Sequence, residues 1–145
     1  MTRIRLAIVV IVALLIVGAA GFLALRSRGP SLPPPGSETY EQMTRAFYWG
    51  LSALEVGLLD DARQQFTKAT TIVPEEPASW ANLGLTQLRL GELEAAALPI
   101  ERALALAPNN GDIVLLAARM DAARGQLDAA AARLRRAVEL DPGSL

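Results

Sequence analysis

Apolar residues along this chain follow two regimes. From Leu6 to Leu25 they form a nearly continuous run with no charged residue, whereas from Met43 onward they recur at three- and four-residue spacing. The second pattern predicts amphipathic helices. Met43, Ala46, Phe47, Gly50, Leu51 and Leu54 mark a first helix that Gly57 ends as a left-handed cap. Ala62, Phe66, Ala69 and Ile72 mark a second, started by Asp60 as a side-chain acceptor and stopped by Pro74. The design repeats with Trp80, Leu83, Gly84 and Leu88 up to Gly91, then Leu93, Ala96, Ile100, Ala103 and Leu106. A third copy has Val114, Ala117 and Ala118 before Gly125, then Leu127, Ala130, Leu134, Ala137 and Leu140.

These landmarks share one offset of 34 residues: Gly57, Gly91, Gly125; Ala62, Ala96, Ala130; Phe66, Ile100, Leu134; Ala69, Ala103, Ala137; and Pro74, Pro108, Pro142. A fixed period in this range marks units that stack because each is too small to bury its apolar face alone. Small residues at Gly50, Gly84, Ala118 and the alanine series are the points where two antiparallel helices can approach closely.

The apolar run changes the picture at the amino terminus. Its 20 residues, flanked by Arg3 and Arg5 and by Arg26 and Arg28, would span about 30 Å as a helix, the thickness of a bilayer core. An uncleaved single-pass anchor over residues 6–25 is the expectation. A cleaved signal ending near Gly18, Ala19 and Ala20 is the alternative, and the run is longer than a signal core needs. Arg3, Arg5 and the amino terminus outweigh Arg26 and Arg28 by one charge, which leans toward a cytoplasmic amino terminus and repeats on the extracytoplasmic, periplasmic side. The stretch GPSLPPPG at residues 29–36 lacks backbone donors and favours polyproline II, a spacer that would hold the repeats off the membrane.

All 15 acidic residues lie from Glu38 onward, and four of the 14 basic ones flank the apolar run, leaving the remainder at a net charge of −5. That argues against nucleic acid as a partner, which needs a concentrated basic face; the cluster Arg133, Arg135 and Arg136 is read as a solvated helix face. The chain has no Cys and no His, removing disulfides, thiol and imidazole chemistry and the usual zinc sets. No catalytic, metal or cofactor residues are assigned: Asp60, Asp61, Glu75 and Glu76 sit at helix starts and turns, where capping accounts for them, and Ser52 and Ser79 have no activating partner.

Trp80, Leu83, Gly84, Gly91, Ala96, Ala103 and Pro108, spaced W-x2-L-G-x6-G-x4-A-x6-A-x4-P, resemble the tetratricopeptide repeat. The resemblance covers three units, residues 43–76, 77–110 and 111–144, with residues 26–42 as linker and lead-in. It implies an all-α, right-handed solenoid whose first helices line a concave, peptide-binding face. In that register the first unit offers Phe47, Tyr48, Leu51 and Leu54; the second Ala81, Asn82, Leu85, Leu88 and Arg89; the third Leu115, Leu116 and Arg119. Of the positions that form a carboxylate clamp in chaperone-binding members only Asn82 matches, since Phe47, Leu51, Asp112 and Leu116 hold the others, so that function is not expected. An amphipathic helix bearing an acidic group is the expected ligand.

Three departures stand out. Trp49 replaces a typical leucine. Pro99 lies inside a predicted helix, where it costs about 3 kcal/mol unless accommodated, and is expected as a bend on the outer face. The last repeat is followed by no capping element in this sequence, which raises three expectations: a longer natural chain, a cap supplied by a partner or by self-association of a second copy through the third unit, or an edge polar enough to stand alone. The resulting picture is a membrane-anchored, non-enzymatic scaffold that binds protein or peptide partners. The alternative is the amino-terminal part of a larger exported protein whose main activity lies beyond Leu145.

Overall fold

A computed structural model describes residues 32–142, within a compact unit spanning residues 32–145. Among the described residues there are six helices and no strands: α1 (Glu38–Glu55), α2 (Leu59–Ile72), α3 (Pro77–Arg89), α4 (Leu93–Leu106), α5 (Gly111–Ala123) and α6 (Leu127–Leu140). The expected membrane helix at residues 6–25 lies outside the described residues. No helix among the described residues is long and apolar enough to cross a membrane.

The helices pack chiefly as α1 on α2, α3 on α4 and α5 on α6, with α2 then contacting α3 and α4 contacting α5. Each pair is joined by the same turn. Gly57, Gly91 and Gly125 take φ of 82°, 78° and 75°, the left-handed region that glycine enters without steric cost. The residue after each glycine then donates back into the helix: Leu58 N to Ala53 O at 2.8 Å, Glu92 N to Gln87 O at 2.9 Å, Gln126 N to Asp121 O at 2.8 Å. This closure satisfies carbonyls that every helix end leaves free.

Helix starts alternate in chemistry. The first helix of each pair has a side-chain cap: Ser37 Oγ accepts from Tyr40 N at 3.2 Å, Glu76 Oε1 from Ala78 N at 3.1 Å, and Asn110 Oδ1 from Ile113 N at 3.1 Å. The second helices start at Leu59, Leu93 and Leu127 with no side-chain cap bond. Asp60 is therefore not the cap expected from the sequence; α2 begins at Leu59, one residue before it, and the Asp60 carboxylate pairs instead with Arg63 at 2.6 Å.

Within each pair, packing depends on the small residues. A Cβ added at Gly50 would lie 2.8 Å from the Phe66 ring, and one added at Gly84 would collide with Ile100 Cγ1. Phe66 and Ile100 are fully buried, and burying such a side chain contributes about 1.5–3 kcal/mol. Pro99 departs from expectation. It is buried rather than on the outer face, and α4 runs through it unbroken from Leu93 to Leu106.

The junctions between pairs carry ion pairs as well as apolar contacts. Arg63 reaches Glu92 at 2.7 Å, Arg124 reaches Glu94 at 2.7 Å, and Arg133 reaches Glu101 at 2.9 Å. Arg136 donates to Asn109 Oδ1 at 2.8 Å. Arg133 also lies 3.1 Å from the buried Asp121 carboxylate through Nε, a charge contact without hydrogen-bond alignment. Arg133 and Arg136 are thus not merely a solvated face. Partly exposed pairs of this kind contribute about 0–1 kcal/mol each.

Candidate partner-binding groove

The first helices α3 and α5 run side by side with their amino-terminal ends adjacent, and between them lies a groove of about 470 Å³. Along α3 it is lined by Pro77, Ala78, Ala81, Asn82 and Leu85, and along α5 by Asp112, Ile113, Leu115, Leu116 and Arg119, with Glu76 and Asn110 at the helix starts. Leu85 and Leu88 are half-buried against the core formed by Ala96, Ile100, Leu116, Ala117 and Met120. The apolar floor of the groove is therefore an extension of the core.

Charge is distributed unevenly along this groove. Glu76 and Asp112 sit where the helices begin, while Arg119 lies two turns further along α5. Glu76 Oε1 already accepts from Ala78 N, and Asn110 Oδ1 from Ile113 N. Asn82 Nδ2 donates to Ala78 O at 2.9 Å, and its amide oxygen keeps its acceptor capacity. Arg119 is exposed and makes no ion pair among those formed by the described residues.

A second, smaller hollow of about 250 Å³ lies between α1 and the start of α3, lined by Tyr40, Met43, Thr44, Phe47, Tyr48, Glu76 and Ala78. Phe47 is half-buried and stacks edge-on with Phe66, ring centroids 5.9 Å apart. Tyr48 stands beside it at 5.7 Å and is exposed. Glu76 and Ala78 belong to both hollows.

The residues predicted from the repeat register fall into five different surroundings. Asn82, Leu85, Leu115 and Arg119 come together in the larger groove, with Ala81 and Leu116, and Phe47 and Tyr48 come together in the smaller one. Leu51 and Leu88 are half-buried core neighbours. Leu54 is buried with Phe66 and Leu83, out of reach of a ligand. Arg89 has a structural partner: its Nη1 donates to Leu54 O at 3.2 Å, satisfying a carbonyl at the end of α1 and favoured there by the helix dipole.

Sequence reasoning did not include Glu76 or Asn110 in the groove. Glu76 reads from the sequence as a turn residue and Asn110 has no assigned role there; both cap the helices that follow them. The positions just before α3 and α5 also line the groove, and the 34-residue spacing of Glu76 and Asn110 was the available signal.

Residues 48–111 match the sequence profile of the tetratricopeptide repeat family. No curated protein sequence matches the chain. Among solved structures, the first TPR domain of Spaghetti (RPAP3) bound to the HSP90 peptide SRMEEVD is similar, with a TM-score of 0.69 and 21% identity over 72% of this chain and 83% of that one. The Arabidopsis OM64 TPR domain gives a TM-score of 0.69 and 19% identity over 72% and 86% of the two chains. An O-GlcNAc transferase of Thermobaculum terrenum gives 0.71 and 21% identity, over 74% of this chain and 21% of that one. Residues 48–111 thus carry the tetratricopeptide-repeat sequence pattern, and the six described helices share the fold of these solved domains.

Proposed function

We propose that this chain is a scaffold that holds a protein or peptide segment in the groove between α3 and α5, tethered to a membrane through residues 6–25, where it assists assembly of a membrane-associated complex. The observation that carries the binding role is the groove itself: an apolar floor of Ala81, Leu85 and Leu116 with acids at one end and Arg119 toward the other. An amphipathic segment suits it, with apolar side chains on the floor, a basic group at Glu76 and Asp112, and an acidic group at Arg119. Two similar domains, one bound to an HSP90 peptide and the yeast Sti1 TPR2B domain in complex with pHsp70, support a peptide-binding use of this fold. The tether is supported by the length and flanking charges of the apolar run. No chemistry of its own is assigned to the chain.

A photo-reactive residue at Leu115 in the intact, membrane-bound protein tests the binding role. A discrete cross-linked adduct is expected, lost on Leu85→Glu and reduced at least severalfold by Arg119→Glu, with helix content unchanged by circular dichroism. Adducts equally abundant from Gln64, exposed on α2, or unaffected by both substitutions, would sink it. A topology reporter after Leu145 tests the extracytoplasmic placement.

The fold equally suits the repeat portion of a larger protein. The transferase of which this chain covers 21% is an instance of such an arrangement, and an open reading frame continuing past Leu145 would favour it here.

A further inference from the structure

Each internal junction of the stack obeys one rule. The large residue midway along the second helix of a unit is covered by a fixed position on the first helix of the next. Phe66 clusters with Leu83, and Ile100 clusters with Ala117, in both cases 17 residues further on in sequence. Phe66 and Ile100 are 0% exposed and Leu83 is 6% exposed. Leu134 occupies the register of Phe66 and Ile100 on α6, yet it is 40% exposed. Trp49 occupies the register of Leu83 and Ala117 on α1, yet it is 61% exposed.

Among the described residues, the two ends of the repeat stack therefore present the two halves of one junction. Val56 and Leu58 flank Trp49 on the first face, and Leu127 and Val138 flank Leu134 on the second; all four are exposed. Singly exposed hydrophobic residues need no explanation, but these collect at the ends.

We propose that a second copy of this chain docks α1 on the free face of α6, in the register by which α3 docks on α2, so that chains stack head to tail. The internal junctions supply the occupant's chemistry. Where Arg63 meets Glu92 inside the stack, the register would set Ala131 against Leu58, an apolar pair. Where Glu101 meets Arg133, it would set Arg135 against Gln65, a hydrogen-bonding pair. Where Glu94 meets Arg124, it would set Asp128 beside Val56 at the solvated rim. No like charges oppose one another at these three points. The contact joins two different faces, so it is heterologous and extends beyond a dimer unless the rotation closes it into a ring.

The chain contains no cysteine, which makes the register directly testable in the full-length protein in mild detergent. Trp49→Cys and Leu134→Cys chains are mixed and treated with a short bismaleimide. The expected result is a dimer joining the two variants, severalfold more abundant than either homodimer, with a ladder of higher species from the double variant. Trp49→Glu alone should lower the mass seen by light scattering as far as Leu134→Glu does. Trp49 is exposed, so its substitution leaves the fold intact and separates loss of stacking from unfolding. Dominant symmetric adducts, yields no higher than with Gln64→Cys, or a monomer at every concentration would overturn the proposal. A monomer is also the outcome if residues 1–31 or an unrelated chain cover these faces. The test is independent of the α3–α5 groove, whose occupancy it does not read.

Discussion

At the scale of single residues, close approach of helices is decided by whether one Cβ exists. Gly50 faces the Phe66 ring and Gly84 faces Ile100, and neither neighbour has room to withdraw because both are fully buried. The third unit has Ala118 at the equivalent position, opposite the half-exposed Leu134, where the side chain can shift toward solvent. Alanine at Gly84 would gain about 1 kcal/mol in helix propensity and lose more through overpacking. Gly84→Ala is therefore expected to destabilise the domain by about 1–2 kcal/mol net in urea unfolding, with Gly50→Ala in the same direction. A neutral or stabilising result would mean that α3 and α4 can separate without loss.

At the scale of elements, α4 is the one second helix that contains a proline, and it still matches α2 and α6 in its 14-residue length. The missing donor at Pro99 leaves the carbonyl of Ala95 without its usual intrahelical partner. Burial of the ring offsets part of that cost. Substituting alanine restores a helix-compatible residue, worth about 3 kcal/mol in a helix interior, and removes two buried methylene groups at about 0.8 kcal/mol each. Pro99→Ala is expected to stabilise the domain by about 1 kcal/mol, measured as an increase in the urea midpoint at constant slope. A loss of stability would show that the ring's packing outweighs the backbone.

At the scale of the whole molecule, each helix pair touches mainly its neighbours, so stability is distributed as a sum of unit and junction contributions. The middle pair, α3 and α4, has a junction on both sides. The pair α5 and α6 has one, and α6 buries only Ala130 and Ala137. Amide exchange in α6 is expected to be about tenfold or more faster than in α3 at low protein concentration. Uniform protection across the six helices would show that the stack opens as a single unit.

What the sequence determined by itself was the local and periodic part of this protein. The positive-φ turn glycines, the length of the second helices and the 34-residue offset follow from backbone sterics and from side chains a few residues apart, and they repeat three times. Asn82, Leu85, Leu115 and Arg119 could be placed on one groove from register alone, because helices of equal length stacked at a fixed offset bring equal positions together. The tertiary structure decided what depends on the rotation of each helix against its neighbours. That rotation buried Leu54 and Pro99, turned Arg89 toward a backbone carbonyl, paired Arg133 across a junction, and brought Glu76 to the end of the groove. It also left Trp49 and Leu134 uncovered. Each of these outcomes rests on residues of another helix, or on their absence, and no local periodicity encodes which side of a helix a neighbour will occupy.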